Sequence, residues 1–249
     1  MTSWNFRGNW TLCAIAALAF MAACVAHEAV GHGGMCLATG GRITLLTSVY
    51  FHCSNGGALT DAAGPMMNLV VGIACWCALT FCPMPSPQWR VFLALAMAFN
   101  LFWGSGYFVY SAVTGNGDWA FVLRGRGREA QMLRAILMGA FGARLYAGSA
   151  RMVAARLPSG TPMIVAWLVA GTVSCAAASC FAGPVLPAVR EAALESFGAG
   201  AGLLVVAWRN PMAVAPTRVE SGVAPGKGWV FAAIPALLVF AATLGRGLS

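Results

Sequence analysis

The chain has 249 residues, of which 59% are hydrophobic and 9% charged. Ordinary soluble domains carry roughly 25% charged residues, so this composition excludes a soluble globular domain and predicts an all-α polytopic membrane protein. The net charge of +8 does not make a nucleic-acid binder, because the basic residues are not interleaved on a polar, soluble face. In a membrane protein such residues mark the cytoplasmic side and its anionic lipid.

Residues 10 to 38 form the first predicted span. Trp10 to Ala26 is uncharged and leads into Ala26-His27-Glu28-Ala29-Val30-Gly31-His32-Gly33-Gly34. Arg7 ahead of this run and Met21-Ala22-Ala23-Cys24 within it also fit a cleaved secretory signal. Cleavage there would remove the helix that supports the histidines, and the later spans already make the chain polytopic, so the segment is read as retained. Two of the chain's three histidines and the only acid before Asp61 sit at its far end. Ionisable groups at membrane depth cost a few kcal/mol or more each and mark functional sites. Two imidazoles and a carboxylate within six residues point to a metal.

The spacing sets a geometric condition. The zinc-hydrolase pattern H-E-x-x-H puts both histidines on one helix face, with the glutamate beside them as general base. Here the pattern is H-E-x-x-x-H. At about 100° per residue the five-residue step leaves the two rings roughly 140° apart in a regular α-helix. A metal shared by His27 and His32 therefore requires a π-turn or a break around Ala29 to Gly31, where glycines make the backbone deformable. The other arrangement pairs Glu28 with His32, four apart on one face, and leaves His27 outside. A purely structural use of the cluster, interhelical hydrogen bonding by buried polar groups, competes with both.

Gly40-Gly41 closes this helix. Residues 42 to 55, rich in Thr, Val and Tyr and flanked by Gly-Gly on both sides, predict a short strand or hairpin. Backbone of that kind is tolerated at membrane depth only against protein or a water-filled cavity. A second span runs from about 58 to 82 and carries Asp61, Gly64-Pro65 and Asn68 in its first turns. A Pro-rich loop leads to a third span, about 91 to 113, which contains Asn100. The turn Thr114-Gly115-Asn116-Gly117 then sets Asp118 at the membrane edge.

The pattern changes at Arg124. Arg124, Arg126, Arg128, Arg134, Arg144, Arg151 and Arg156 precede Pro158. Arg134 and Arg144 lie too close together to bracket a span of about 20 residues, so 129 to 157 is read as an interfacial amphipathic helix. Three apolar runs follow, at about 161 to 182, 192 to 208 and 229 to 244, the middle one interrupted by Glu195. The reading is thus six spans in three parts: a core over 1–123, a basic interfacial helix over 124–160 and C-terminal transmembrane helices over 161–249.

Nine cysteines form no C-x-x-C pair. Cys75, Cys77, Cys175 and Cys180 lie in apolar runs, where a free thiol behaves as a small hydrophobe; neither a disulfide framework nor a cysteine metal cluster is expected. With Arg124 to Arg156 on the cytoplasmic side, eleven of the fifteen Lys and Arg fall there and four on the other side. The positive-inside rule then puts the N-terminus outside.

The motifs together resemble the site-2 protease family of intramembrane zinc metalloproteases. The matching residues are His27-Glu28-Ala29-Val30-Gly31-His32 on a membrane helix, Gly40-Gly41-Arg42-Ile43-Thr44 with a polar β-like stretch ending in Gly56-Gly57, Ala63-Gly64-Pro65-Met66-Met67-Asn68, and Asn100-Leu101 leading to Asp118. They cover roughly residues 10 to 123. The resemblance implies Zn2+ held by His27, His32 and Asp118, Glu28 as the base that activates water, and Asn68 and Asn100 bordering the substrate. That substrate would be a transmembrane protein cleaved within the bilayer. His52 and Asp61 stand as the other candidates for the third ligand. The expectation from another class is a non-proteolytic membrane protein, a degenerate relative or small transporter, whose His/Glu cluster packs helices or carries protons.

Overall fold

The computed structural model of the chain describes residues 6–123, 128–209 and 225–249. Arg124, Arg126 and most of the loop between Arg209 and Lys227 lie outside the described residues. Helix α1 (Phe6–Val25) continues through a π-helical segment (Ala26–Gly33) into the short α2 (Gly34–Ala38). Strands β1 (Ile43–Leu46) and β2 (Phe51–Cys53) pair antiparallel, with a register irregularity between Ile43 and Leu45. Then come α3 (Ala58–Phe81), α4 (Pro87–Thr114), the single-turn α5 (Asp118–Val122) and α6 (Arg128–Ala154). The chain finishes with α7 (Thr161–Ala178), α8 (Val185–Ala199), α9 (Gly202–Trp208) and α10 (Lys227–Phe240), the last ending in a second π-turn (Ala241–Gly245).

Six segments among the described residues are long and apolar enough to cross a membrane: Asn9–Ala38, Ala58–Phe81, Pro87–Thr114, Thr161–Ala178, Val185–Trp208 and Lys227–Gly245. The protein is a multi-pass membrane protein with a predominantly helical fold. Helix α4 is the central post, and its residues from Ala94 to Ser105 are all buried. Its ends are set locally: Ser86 Oγ accepts from the Trp89 N–H with Pro87 in the first turn, both N-terminal helix signals. Gly115, at φ 68°, ends it in the left-handed conformation.

Helix α6 departs from the expected interfacial position. It lies antiparallel along α4: Phe141 packs on Phe108 and Tyr146 on Phe102, with ring centroids 5.2 and 5.1 Å apart. Arg134 at one end donates to the Leu123 carbonyl at 3.4 Å, and Arg156, beyond the other end, donates to the Leu79 carbonyl at 3.2 Å. Helices α1 and α10 run in the same direction: Gly226 N–H, just before α10, bonds Thr11 Oγ1 near the start of α1, whereas Leu248 pairs with Leu46 beyond α1's far end. Arg134 and Arg156 thus make their contacts at opposite ends of the bundle. Across the three parts read from the sequence, α7 and α10 pack on α1 and α8 packs on α4.

One disulfide, Cys36–Cys53, ties α2 to β2, where no disulfide was expected. Both cysteines lie outside the apolar runs on which that expectation rested. The bridge and the pairing of Leu46 with Leu248 hold the hairpin over the end of the bundle.

Candidate metal centre

In the π-helical segment backbone bonds close over one more residue than in an α-helix, so a five-residue step comes close to one turn. His27 and His32 therefore point to the same side, with their Nε2 atoms 3.2 Å apart. The departure from α geometry extends over all eight residues from Ala26 to Gly33, wider than the turn anticipated at Ala29 to Gly31. Glycine makes the packing possible. A Cβ on Gly31 would come within 2.7 Å of the Ala63 carbonyl oxygen and Gly64 Cα, and one on Gly64 would collide with His32 Nε2 and sit 2.7 Å from His27 Nε2. The first turns of α3 thus run directly beside the two imidazole nitrogens.

Asp118 joins the two histidines as the third group that could hold a metal ion. Gly115 and Gly117, both at positive φ, turn the chain back after α4. Asp118 Oδ2 then stands 3.2 Å from His27 Nε2 and 3.4 Å from His32 Nε2. Burial works to raise its carboxyl, and protonated imidazoles at this distance would work to lower it. His52 and Asp61 line the same cavity without joining the triad.

Hydrogen bonds assign the tautomers. Asn68 Nδ2 donates to the Ala23 carbonyl at 3.1 Å and to Asn100 Oδ1 at 2.8 Å. Its Oδ1 therefore accepts from His27 Nδ1, at 2.6 Å. The Thr60 carbonyl likewise accepts from His32 Nδ1, at 2.6 Å. With both Nδ1 positions protonated, neutral imidazoles present their Nε2 lone pairs inward. Two nitrogen acceptors and one carboxylate oxygen then face each other within 3.4 Å. Asp118 Oδ2 is buried and receives no hydrogen bond among the described residues. Such a set repels itself unless a cation lies among its members.

The spacing suits zinc. Nitrogen and oxygen ligands at roughly 2.0–2.2 Å in a tetrahedral site lie about 3.3 Å from one another, which is the separation found here. The Nδ1–H donors to Asn68 and Thr60 supply the outer-shell orientation that metal-bound histidines require. Asn68 and Asn100, anticipated at the substrate border, stand behind His27 and do not line the cavity. Trp103 stacks on the His27 ring at a centroid distance of 5.1 Å and fixes it from the bundle interior.

The centre opens on a cavity of about 370 Å³. Glu28 lines it, is 3% exposed, and makes no hydrogen bond or ion pair among the described residues. A carboxylate in that state is free to take a proton. The far wall comes from α4 and α8, where Tyr107 Oη donates to Glu195 Oε1 at 2.5 Å and Tyr110 Oη to Glu191 Oε1 at 2.7 Å. Sequence reasoning noted Glu195 only as an interruption of an apolar run and gave none of these four residues a role at the site. The available signal was a pair of glutamates four apart, hence on one face.

Comparisons with protein-family models, curated proteins and solved structures return no match for this chain.

Proposed function

We propose that this protein is an intramembrane zinc-dependent endopeptidase of the site-2 protease kind, hydrolysing a peptide bond of a membrane-embedded protein. The observation that carries the reading is the convergence of three acceptors, His27 Nε2, His32 Nε2 and Asp118 Oδ2, within 3.4 Å beside a buried Glu28 that has no hydrogen-bond or ion-pair partner among the described residues. A zinc ion held by His27, His32 and Asp118 would supply Lewis acidity, lowering the pKa of water toward neutrality and polarising a carbonyl. Glu28 accepts the proton of the attacking water and returns it to the departing amine. Asn68 and Thr60 keep each imidazole in the tautomer that leaves Nε2 unprotonated. The hairpin roofs the cavity with Tyr50, Phe51 and His52, and a free backbone edge there would hold an unwound substrate segment by strand addition.

Glu28→Gln tests the assignment of roles. The amide preserves shape, so metal content should remain at the wild-type level while cleavage of a membrane substrate falls about 10²-fold or more. Loss of the metal in that variant would make Glu28 a ligand instead of the base. Wild-type protein purified without stoichiometric metal would remove the reading altogether.

The orientation we propose follows from the Cys36–Cys53 disulfide at the end where the cavity opens. Disulfides persist in oxidising compartments, so we assign this end to the outer side and the start of α1 to the cytoplasm. That is the reverse of what the sequence-based charge count favours. Two exposed native thiols report on it: Cys180 at the cavity end and Cys82 at the opposite end. A membrane-impermeant maleimide applied to intact cells should label Cys180 and spare Cys82; the opposite pattern would reverse the assignment.

A further inference from the structure

We infer that the cavity receives a cationic side chain, Lys or Arg, from the peptide segment bound beside the metal centre, with Glu191 and Glu195 as the residues that select it. The inference rests on the proposed peptide-binding role of the cavity. The chain is basic, with fifteen Lys and Arg against seven Asp and Glu. Five of those seven acids, Glu28, Asp61, Asp118, Glu191 and Glu195, nevertheless line this single cavity, and no Lys or Arg lines it among the described residues.

Asp118 and Glu28 have roles in the proposed chemistry; Glu191 and Glu195 do not. Glu195 is 6% exposed, and the bond from Tyr107 is neutral. A carboxyl group at such depth ionises only at a cost, which a cation carried in by the substrate would offset. Glu28, buried and without a partner among the described residues, adds to the negative potential that the cavity directs at its occupant.

The occupant is not a second metal ion. Among the described residues only His27, His32 and Asp118 bring ligand atoms within 4.8 Å of one another. The remaining carboxylates are spread along the wall, which suits the long, flexible stem of a Lys or Arg better than a bare ion. Tyr107 and Tyr110 add aromatic faces, which attract organic cations.

The test measures binding, so it does not depend on turnover. A lysine is scanned through an apolar, Ala/Gly-rich peptide, and parallel scans carry norleucine or glutamate. Each peptide is titrated by fluorescence anisotropy against full-length Glu28→Gln protein in nanodiscs. At the best position lysine should bind about tenfold or more tighter than norleucine, with glutamate weakest, the magnitude expected of a close charge pair. In Glu28→Gln protein that also carries Glu191→Gln and Glu195→Gln, the preference should shrink to about twofold or less. Equal affinities for lysine and norleucine, or a preference that survives both added substitutions, would overturn the inference. Should that variant fail to fold, as read from its metal content and melting, the scans against Glu28→Gln alone decide. Displacement of all the peptides alike by phosphocholine would assign the wall to a lipid headgroup and also overturn it. Wild-type protein that cleaves none of the peptides while the lysine preference holds would sink the protease reading and spare this inference. Cleavage without a lysine preference would do the reverse.

Discussion

Each end of the helix bundle holds a cavity, and the larger of the two is the one without chemistry. Toward the cytoplasmic end of our assignment, a groove of about 510 Å³ between α1, α4 and α10 is lined by Leu18, Ala22, Trp89, Phe92, Trp229 and Ala232, with no ionisable group. The cavity at the other end measures about 370 Å³ and gathers five acids and three histidines. Polar groups exist at both ends, and they differ in how they are satisfied. Arg156 donates to the Leu79 carbonyl and, at 2.8 Å, to Thr80 Oγ1, while Arg209 donates to the carbonyls of Ala154 and Leu157. Donor meets acceptor there, and the helix ends are closed. At the candidate metal centre His27, His32 and Asp118 bring their ligand atoms face to face, an arrangement that a metal cation would complete. Mismatch of hydrogen-bonding type, more than the volume of a void, separates a site from a packing gap.

The comparison can be broken at several strengths. The largest effect is expected for His27→Ala or His32→Ala. Either should abolish stoichiometric metal, measured by elemental analysis of purified protein, and retention of a full complement would disprove the shared ligand set. Gly64→Ala should come close behind. Its methyl group would collide with His32 Nε2 and crowd His27 Nε2, so metal binding should be lost although no ligand is altered. Wild-type affinity in this variant would mean that α3 does not lie where the structure has it.

A smaller loss is expected for Asn68→Leu, which removes the acceptor for His27 Nδ1–H. Outer-shell changes of this kind weaken metal binding about 10- to 100-fold, and a competition titration with a chelator would resolve that range. The smallest effect belongs to the other end. Arg156→Met removes two hydrogen bonds at a half-buried position and should reduce stability by about 1–2 kcal/mol. Metal affinity should not change. A change there would couple the two ends, which the contrast between them does not anticipate.

Much of the architecture is local and therefore legible in the chain. Six apolar runs of sufficient length define the spans, because burying a helix in lipid is set by composition over about 20 residues. Gly-Gly boundaries around a Thr- and Val-rich stretch foretell the hairpin. The H-E-x-x-x-H spacing by itself demands a departure from α geometry if both histidines are to meet, since a fixed angle per residue admits no other solution. The turn after α4, with its two glycines, marks Asp118 as an acid at the helix end.

What required the tertiary structure is every juxtaposition between distant segments. Three candidates for the third ligand were chemically acceptable, and only the packing of α3, α4 and the π-helical segment brings Asp118 in and leaves His52 and Asp61 along the wall. That α6 lies along α4 shows only in the packing, because an arginine's long side chain can reach carbonyls at either end of a bundle and hydropathy does not record that reach. Cys36 and Cys53 are joined by the fold of the hairpin over α2. Glu191 and Glu195 face the metal centre because α8 packs on α4, some 80 residues from its tyrosine partners in sequence. Periodicity and composition act over a few turns of helix; the contacts that make this site are decided by which helices pack together.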